Sequence, residues 1–118
     1  MTAITQAWPA EVRTGLTSGS IVLVDVREPH EYAVERIHGA LLFPLSTFDA
    51  KAVPATGRPL VVHCAGGRRS MLAAQQLVAA GHATVANLDG GLAAWKAAGL
   101  PLIRIDPATG QIVDNGRG

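Results

Sequence analysis

The chain has 118 residues, with ten Lys and Arg against nine Asp and Glu, a formal net charge of +1 and 48% hydrophobic residues. That length fits one compact domain able to bury a real core, and with only 4% aromatic residues the core must be built from Val, Leu, Ile and Ala. Such balanced, scattered charge argues against a nucleic-acid or membrane surface. No apolar run nears the roughly 18 residues of a bilayer span. Trp8-Pro9 and Glu11 interrupt any apolar signal core, so a cytoplasmic location is the default expectation.

Ala3-Ile4-Thr5 reads as a short first strand, and Pro9 to Ser18 as a helix with Pro9 in its first turn and Val12 and Leu16 on one face. Ile21 to Asp25 is a β-branched run expected to be a strand buried on both faces. Pro29 to Glu35 reads as a short helix, and Ala40 to Phe43 as a third strand stopped by Pro44. Ser46 is expected to cap a short helix through about Ala52, ahead of a Pro- and Gly-rich turn from Pro54 to Pro59.

Leu60 to His63 is a further buried strand that ends at Cys64. Ala65-Gly66-Gly67 forms a loop, and a helix runs from Arg68 or Ser70 to Ala80 with Leu72, Leu77 and Val78 on its apolar face and Gly81 closing it. Thr84 to Leu88 is a fifth strand, and Leu92 to Ala98 a last helix carrying Trp95. Strands alternating with helices predict an α/β fold with a mainly parallel sheet. After Leu102, Ile103-Arg104-Ile105 and Gln111-Ile112-Val113 flank a turn and read as a hairpin, and Asp114 to Gly118 reads as a disordered tail. The expected division is a domain over 1–102 and an extension over 103–118.

Cys64 is the only cysteine, so neither a disulfide nor a Cys-rich metal site can form within the chain. A lone Cys is usually a small buried hydrophobe, and the neighbourhood overturns that default. Cys64 ends a strand, where open α/β sheets bind ligands. The following helix offers unpaired N–H groups and its positive dipole end. Gly66 and Gly67 let the loop curl its amides inward around the sulfur, and Arg68 and Arg69 add cations. All of these favour a thiolate nucleophile.

Three blocks resemble the rhodanese homology domain, over about residues 2 to 102. They are Val24-Asp25-Val26-Arg27-Glu28 with Glu31-Tyr32 and Ile37-His38-Gly39-Ala40, then Cys64-Ala65-Gly66-Gly67-Arg68-Arg69-Ser70, then Gly90-Gly91-Leu92-Ala93-Ala94-Trp95. Arg36 and Glu35 stand where that family usually has His and Gly. The resemblance implies a three-layer α/β/α fold with a five-stranded parallel sheet in the order 1-5-4-2-3. It implies a sulfurtransferase in which Cys64 takes the sulfane sulfur of a donor such as thiosulfate and passes it, as a persulfide, to cyanide or a thiol. Ala65, Gly66, Gly67, Arg68, Arg69 and Ser70 would cradle the sulfur and the anionic donor, which could also be another protein's persulfide. No cofactor is implied.

Two other classes stand beside this one. A persulfide carrier or regulatory module would bind a partner protein and turn over small donors poorly. A phosphatase or arsenate reductase of the same fold would need five residues between Cys and Arg, whereas four separate Cys64 from Arg69 and the sixth position is Ser70. Asp25 and Arg27 are expected to form an internal salt bridge that positions the loop, and His63 to be a hydrogen-bonded core residue. Trp95 reads as a packing anchor, Glu28, Glu31 and Glu35 as solvated faces, and His30, His38 and His82 as too scattered for a metal.

Overall fold

The structure, a computed structural model, describes residues 4–114. The chain runs through β1 (Thr5–Ala7), α1 (Pro9–Ser18), β2 (Val22–Asp25), α2 (Pro29–Val34), β3 (Glu35–Arg36) and β4 (Leu41–Leu42). Two 3-10 turns, Leu45–Thr47 and Ala50–Ala52, lead to β5 (Leu60–His63) and α3 (Arg68–Ala79). β6 (Val85–Leu88), α4 (Gly91–Ala97), β7 (Ile103–Ile105) and β8 (Ile112–Asp114) complete it.

Five strands form one sheet in the order β1-β6-β5-β2-β4, and every neighbouring pair is parallel. Every residue of β2 and β5 is buried, as their unbroken apolar runs require of strands covered on both faces. Successive side chains point to opposite faces, which divides the core in two. Val24, Val62 and Val85 pack with Ala73, Ala74 and Leu77 of α3. Leu23, Val61 and Leu88 pack with Val12 of α1 and with Leu92 and Trp95 of α4. The result is a three-layer α/β/α arrangement.

Several boundaries differ from expectation, each for a physical reason. The buried face of α3 is Ser70, Ala73, Ala74 and Leu77, a spacing of three and four that leaves Leu72 49% exposed on the other side. In place of one helix from Ser46 to Ala52 stand the two separate 3-10 turns, the second ending at Ala52 as expected. Asp49 accepts the Lys51 N–H at the second 3-10 turn, and Ser46 Oγ donates to Glu28 Oε1. The α2 helix stops at Val34, one residue before the expected end, because Glu35 and Arg36 pair antiparallel with Arg104 and Ile103. The hairpin of β7 and β8 therefore has β3 as its sheet partner, making a second, three-stranded sheet. Asp114, expected in a loose tail, belongs to β8. Ala3 and residues 115–118 of the expected tail lie outside the described residues.

Candidate active site

Cys64 follows directly on β5 and is 1% exposed, yet its sulfur is not in an apolar setting. The Gly67 N–H donates to Sγ at 3.0 Å, and Ser70 Oγ lies 3.4 Å away. Ala65, Gly66 and Arg68 are exposed around it, so the sulfur sits just beneath the loop surface. Gly67 holds φ +112 as it turns the loop into α3, a conformation open to glycine at little cost. Burial by itself pushes the Cys64 thiol up. The Ser70 hydroxyl and the N–H groups of Ser70, Gly67 and Gly66 together outweigh it, leaving the thiol below its ordinary value.

The loop keeps this shape because α4 grips it from behind. Leu92 N–H donates to the Cys64 carbonyl at 2.8 Å and Ala93 N–H to the Ala65 carbonyl at 3.0 Å. With these carbonyls tied outward, the following amides are free to face the sulfur. Such close approach requires Gly91, which holds φ +58. A Cβ there would lie 2.5 Å from the Cys64 carbonyl oxygen and 2.8 Å from that of Ala65. Gly91→Ala is therefore expected to cost about 1–3 kcal/mol of stability and to slow alkylation of Cys64. Thermal unfolding and iodoacetamide kinetics check this, and a variant matching the parent in both would contradict it.

Under the loop, Asp25 and Arg27 form a buried ion pair, 0% and 3% exposed, with Arg27 Nη2 2.8 Å from Asp25 Oδ2. Asp25 Oδ1 also accepts the Arg27 N–H. The same guanidinium donates to the carbonyls of Glu31 within α2 and Glu35 just after it, fastening that helix to the strand ends. His63 is fully buried, with Nδ1 3.2 Å from the Cys64 carbonyl and Nε2 3.4 Å from Asp25 Oδ2 without a hydrogen bond. Burial holds its imidazole below the ordinary value even though Asp25 pulls the other way, so it sits there neutral.

Glu31 is not a solvated side chain. Both its carboxylate oxygens take the Arg69 guanidinium, at 2.6 and 3.0 Å. This fork holds the Glu31 carboxyl at about 2 despite some burial and keeps Arg69 charged. Glu35 likewise pairs with Lys96, and Glu28 takes Ser46. Arg68 is exposed and belongs to none of the ion pairs among the described residues. Trp95, 1% exposed, packs as expected and also donates through Nε1 to the Pro101 carbonyl. A cleft of about 660 Å³ lies at the opposite end of β5 and β6, lined by residues 50–60 and 80–84, away from Cys64. No cluster of metal-ligating side chains occurs among the described residues.

The signature of the rhodanese-like domain matches residues 9–98 of this chain. The chain belongs to the rhodanese-like family. Thiosulfate sulfurtransferase GlpE of Stutzerimonas stutzeri is 36% identical over 89 residues, 75% of this chain and 82% of that protein. An uncharacterised protein of Synechocystis is 44% identical over 86 residues, 72% of this chain. This chain spans about half of that relative's length, 48%. Among solved structures, the rhodanese-like domain of an Anabaena protein superposes with a TM-score of 0.73 at 31% identity, covering 85% of this chain and 79% of that one.

Within this rhodanese-like domain Gly66, Gly67 and Ser70 face the Cys64 sulfur, while Asp25 and Arg27 pair with each other and hold the Glu31 and Glu35 carbonyls. The side chain of Arg69 faces Glu31, not the open mouth. Sequence reasoning gave Glu31 a solvated face and Gly91 a place in a motif, without their parts at this site, and passed over Asn87. Asn87 is 3% exposed and its Oδ1 accepts from Ser70 Oγ at 2.5 Å. A signal for it existed, since an amide within the strand Val85-Ala86-Asn87-Leu88 is out of keeping with strand preference.

Proposed function

We propose that this protein is a sulfurtransferase that carries sulfane sulfur as a persulfide on Cys64, with thiosulfate as a small donor. The observation that carries the reading is the donor cage on one thiol: the Gly67 N–H on Sγ at 3.0 Å, with Ser70 Oγ beside it. The 36% identity to a thiosulfate sulfurtransferase supports it.

The Cys64 thiolate attacks the outer sulfur of thiosulfate. A new S–S bond forms to Cys64, the S–S bond of the donor breaks, and sulfite leaves with its electron pair. The outer sulfur of the persulfide is then anionic, and the amides that held the thiolate hold it in turn, as an oxyanion hole holds developing charge. Cyanide or a thiolate next attacks that outer sulfur, the persulfide bond breaks, and Cys64 returns as thiolate. No net proton or electron is required, in keeping with double displacement through a covalent intermediate. Arg68, exposed at the mouth, draws in the dianionic donor, and Arg69 contributes charge from its post on Glu31.

A phosphoryl chemistry fits less well. A clamp on phosphate oxygens needs a guanidinium fork facing the nucleophile, and the fork of Arg69 is already taken by Glu31.

Incubation with thiosulfate is expected to add one sulfur atom to the intact protein, removable by cyanide with release of thiocyanate. Stoichiometric loading with negligible turnover would mark the protein as a carrier for a partner's sulfur. Rapid hydrolysis of an aryl phosphate without sulfur uptake would overturn the reading.

A further inference from the structure

Ser70 Oγ carries one proton and faces three acceptors: Asn87 Oδ1 at 2.5 Å, the Gly67 carbonyl at 3.1 Å and Cys64 Sγ at 3.4 Å. The shortest contact takes the proton. The hydroxyl then turns its lone pairs to the sulfur, which suits a protonated thiol donating to Ser70. An anionic sulfur needs the opposite polarity, with Ser70 donating to it.

Asn87 stands at the point where that polarity is decided. Its Nδ2 donates to Gln6 Oε1 at 2.9 Å, and Gln6 is its direct cross-strand partner on β1. The Gln6 side chain is at the surface, with Nε2 3.6 Å from Met71 Sδ. Each amide offers a donor on one side and an acceptor on the other. A half-turn of the Asn87 amide brings Nδ2 to Ser70 and Oδ1 to Gln6, and a half-turn of the Gln6 amide meets that Oδ1 with a donor. Both links survive with their direction reversed, which leaves the Ser70 hydroxyl free to donate its hydrogen bond to the sulfur.

We propose that Asn87 is a positioning residue for Cys64: seated between Gln6 and Ser70, its amide sets which way the Ser70 hydroxyl points and turns over when the sulfur becomes anionic. No covalent bond is made or broken. A buried amide left half-satisfied would be costly, so the exposed end at Gln6 is what lets the chain reverse. The inference rests on the reading that Cys64 works as a thiolate and then as a persulfide anion. It needs no charge change elsewhere. Arg69 of α3 stays on Glu31 of α2, exposed Arg68 is in none of the ion pairs among the described residues, His63 beside Cys64 is neutral, and Asp25 and Arg27 at the end of β2 offset each other.

The test is the pH dependence of Cys64 alkylation by iodoacetamide. Asn87→Asp keeps the shape but can only accept from Ser70, and is expected to raise the apparent thiol pKa by about one unit, a roughly tenfold loss of thiolate below it. Ser70→Ala is expected to raise it as well. Adding Asn87→Leu to Ser70→Ala is expected to shift it no further, because the effect passes through Ser70. An unmoved pKa in Asn87→Asp, or additive shifts in the double variant, would overturn the proposal. If Asn87→Asp does not fold, the Ser70→Ala and Asn87→Leu cycle decides alone. Failure of the parent protein to take up sulfur would remove the proposed function while leaving this result readable.

Discussion

Cys64→Ser is expected to abolish both sulfur uptake from thiosulfate and thiocyanate formation, leaving only the uncatalysed rate. The cage of Gly66, Gly67 and Ser70 N–H groups stabilises an anion, but a serine hydroxyl starts many pKa units above a thiol. It stays protonated even where the cage favours ionisation. Oxygen also forms no stable bond to sulfane sulfur of the kind the persulfide requires, so the covalent step has no substitute. The loop should remain in place, because its carbonyls are held by α4 and not by the sulfur. The variant should therefore unfold close to the parent's midpoint. Intact mass after thiosulfate treatment and a cyanide-coupled assay give the answer. Residual turnover well above background would mean that sulfur transfer proceeds without Cys64.

The second large effect falls on stability. Arg27→Leu strands the Asp25 carboxylate, 0% exposed, with no cation against it and only a neutral imidazole nearby. Breaking a buried pair from one side costs about 3–5 kcal/mol, since the remaining charge keeps its desolvation penalty and loses its partner. The total stability of a domain this size is only about 5–15 kcal/mol, so a marked drop in urea midpoint is expected. The carbonyls of Glu31 in α2 and Glu35 just after it lose their donor in the same change, which should loosen the helix that holds Arg69. Replacing Asp25 and Arg27 together by Leu is expected to recover part of the loss, because no unpaired charge remains. A cost below about 1 kcal/mol for Arg27→Leu would show that the pair does not brace the floor.

What could be read from the sequence was whatever is written contiguously. The β2 and β5 runs are long, apolar and β-branched, and α1 begins at Pro9 and ends before Gly19, whose φ is +73; these need no partner to be recognised. The loop from Cys64 to Ser70 is likewise one stretch, so the strand end, amide nest and helix start could be placed together. Elements set by distant pairing were not legible. Glu35-Arg36 is too short to announce a strand and becomes one only because Arg104-Ile103 lies alongside it. Leu72 looked like core by its side chain, but small Ala73 and Ala74 let α3 sit close to the sheet and turned Leu72 outward.

The same division holds for the candidate site. Sequence placed two cations beside Cys64 but could not show that Glu31, from another helix, takes the fork of Arg69. The Gly90-Gly91 pair read as a turn, and its closeness to the Cys64 carbonyl depends on how α4 docks. Asn87 gains its meaning from Gln6 and Ser70, which lie far from it in the chain and meet it across the sheet and beneath α3.

The most direct check on the whole account is the titration of the Cys64 thiol in the parent protein, followed through its alkylation rate from acid to alkaline pH. Ionisation exposes the reactive form, so the rate should rise with pH and level off. The half-maximum is expected below the roughly 8.5 of a free cysteine. A half-maximum at or above that value would contradict the claim that backbone amides and the Ser70 hydroxyl hold this sulfur as an anion.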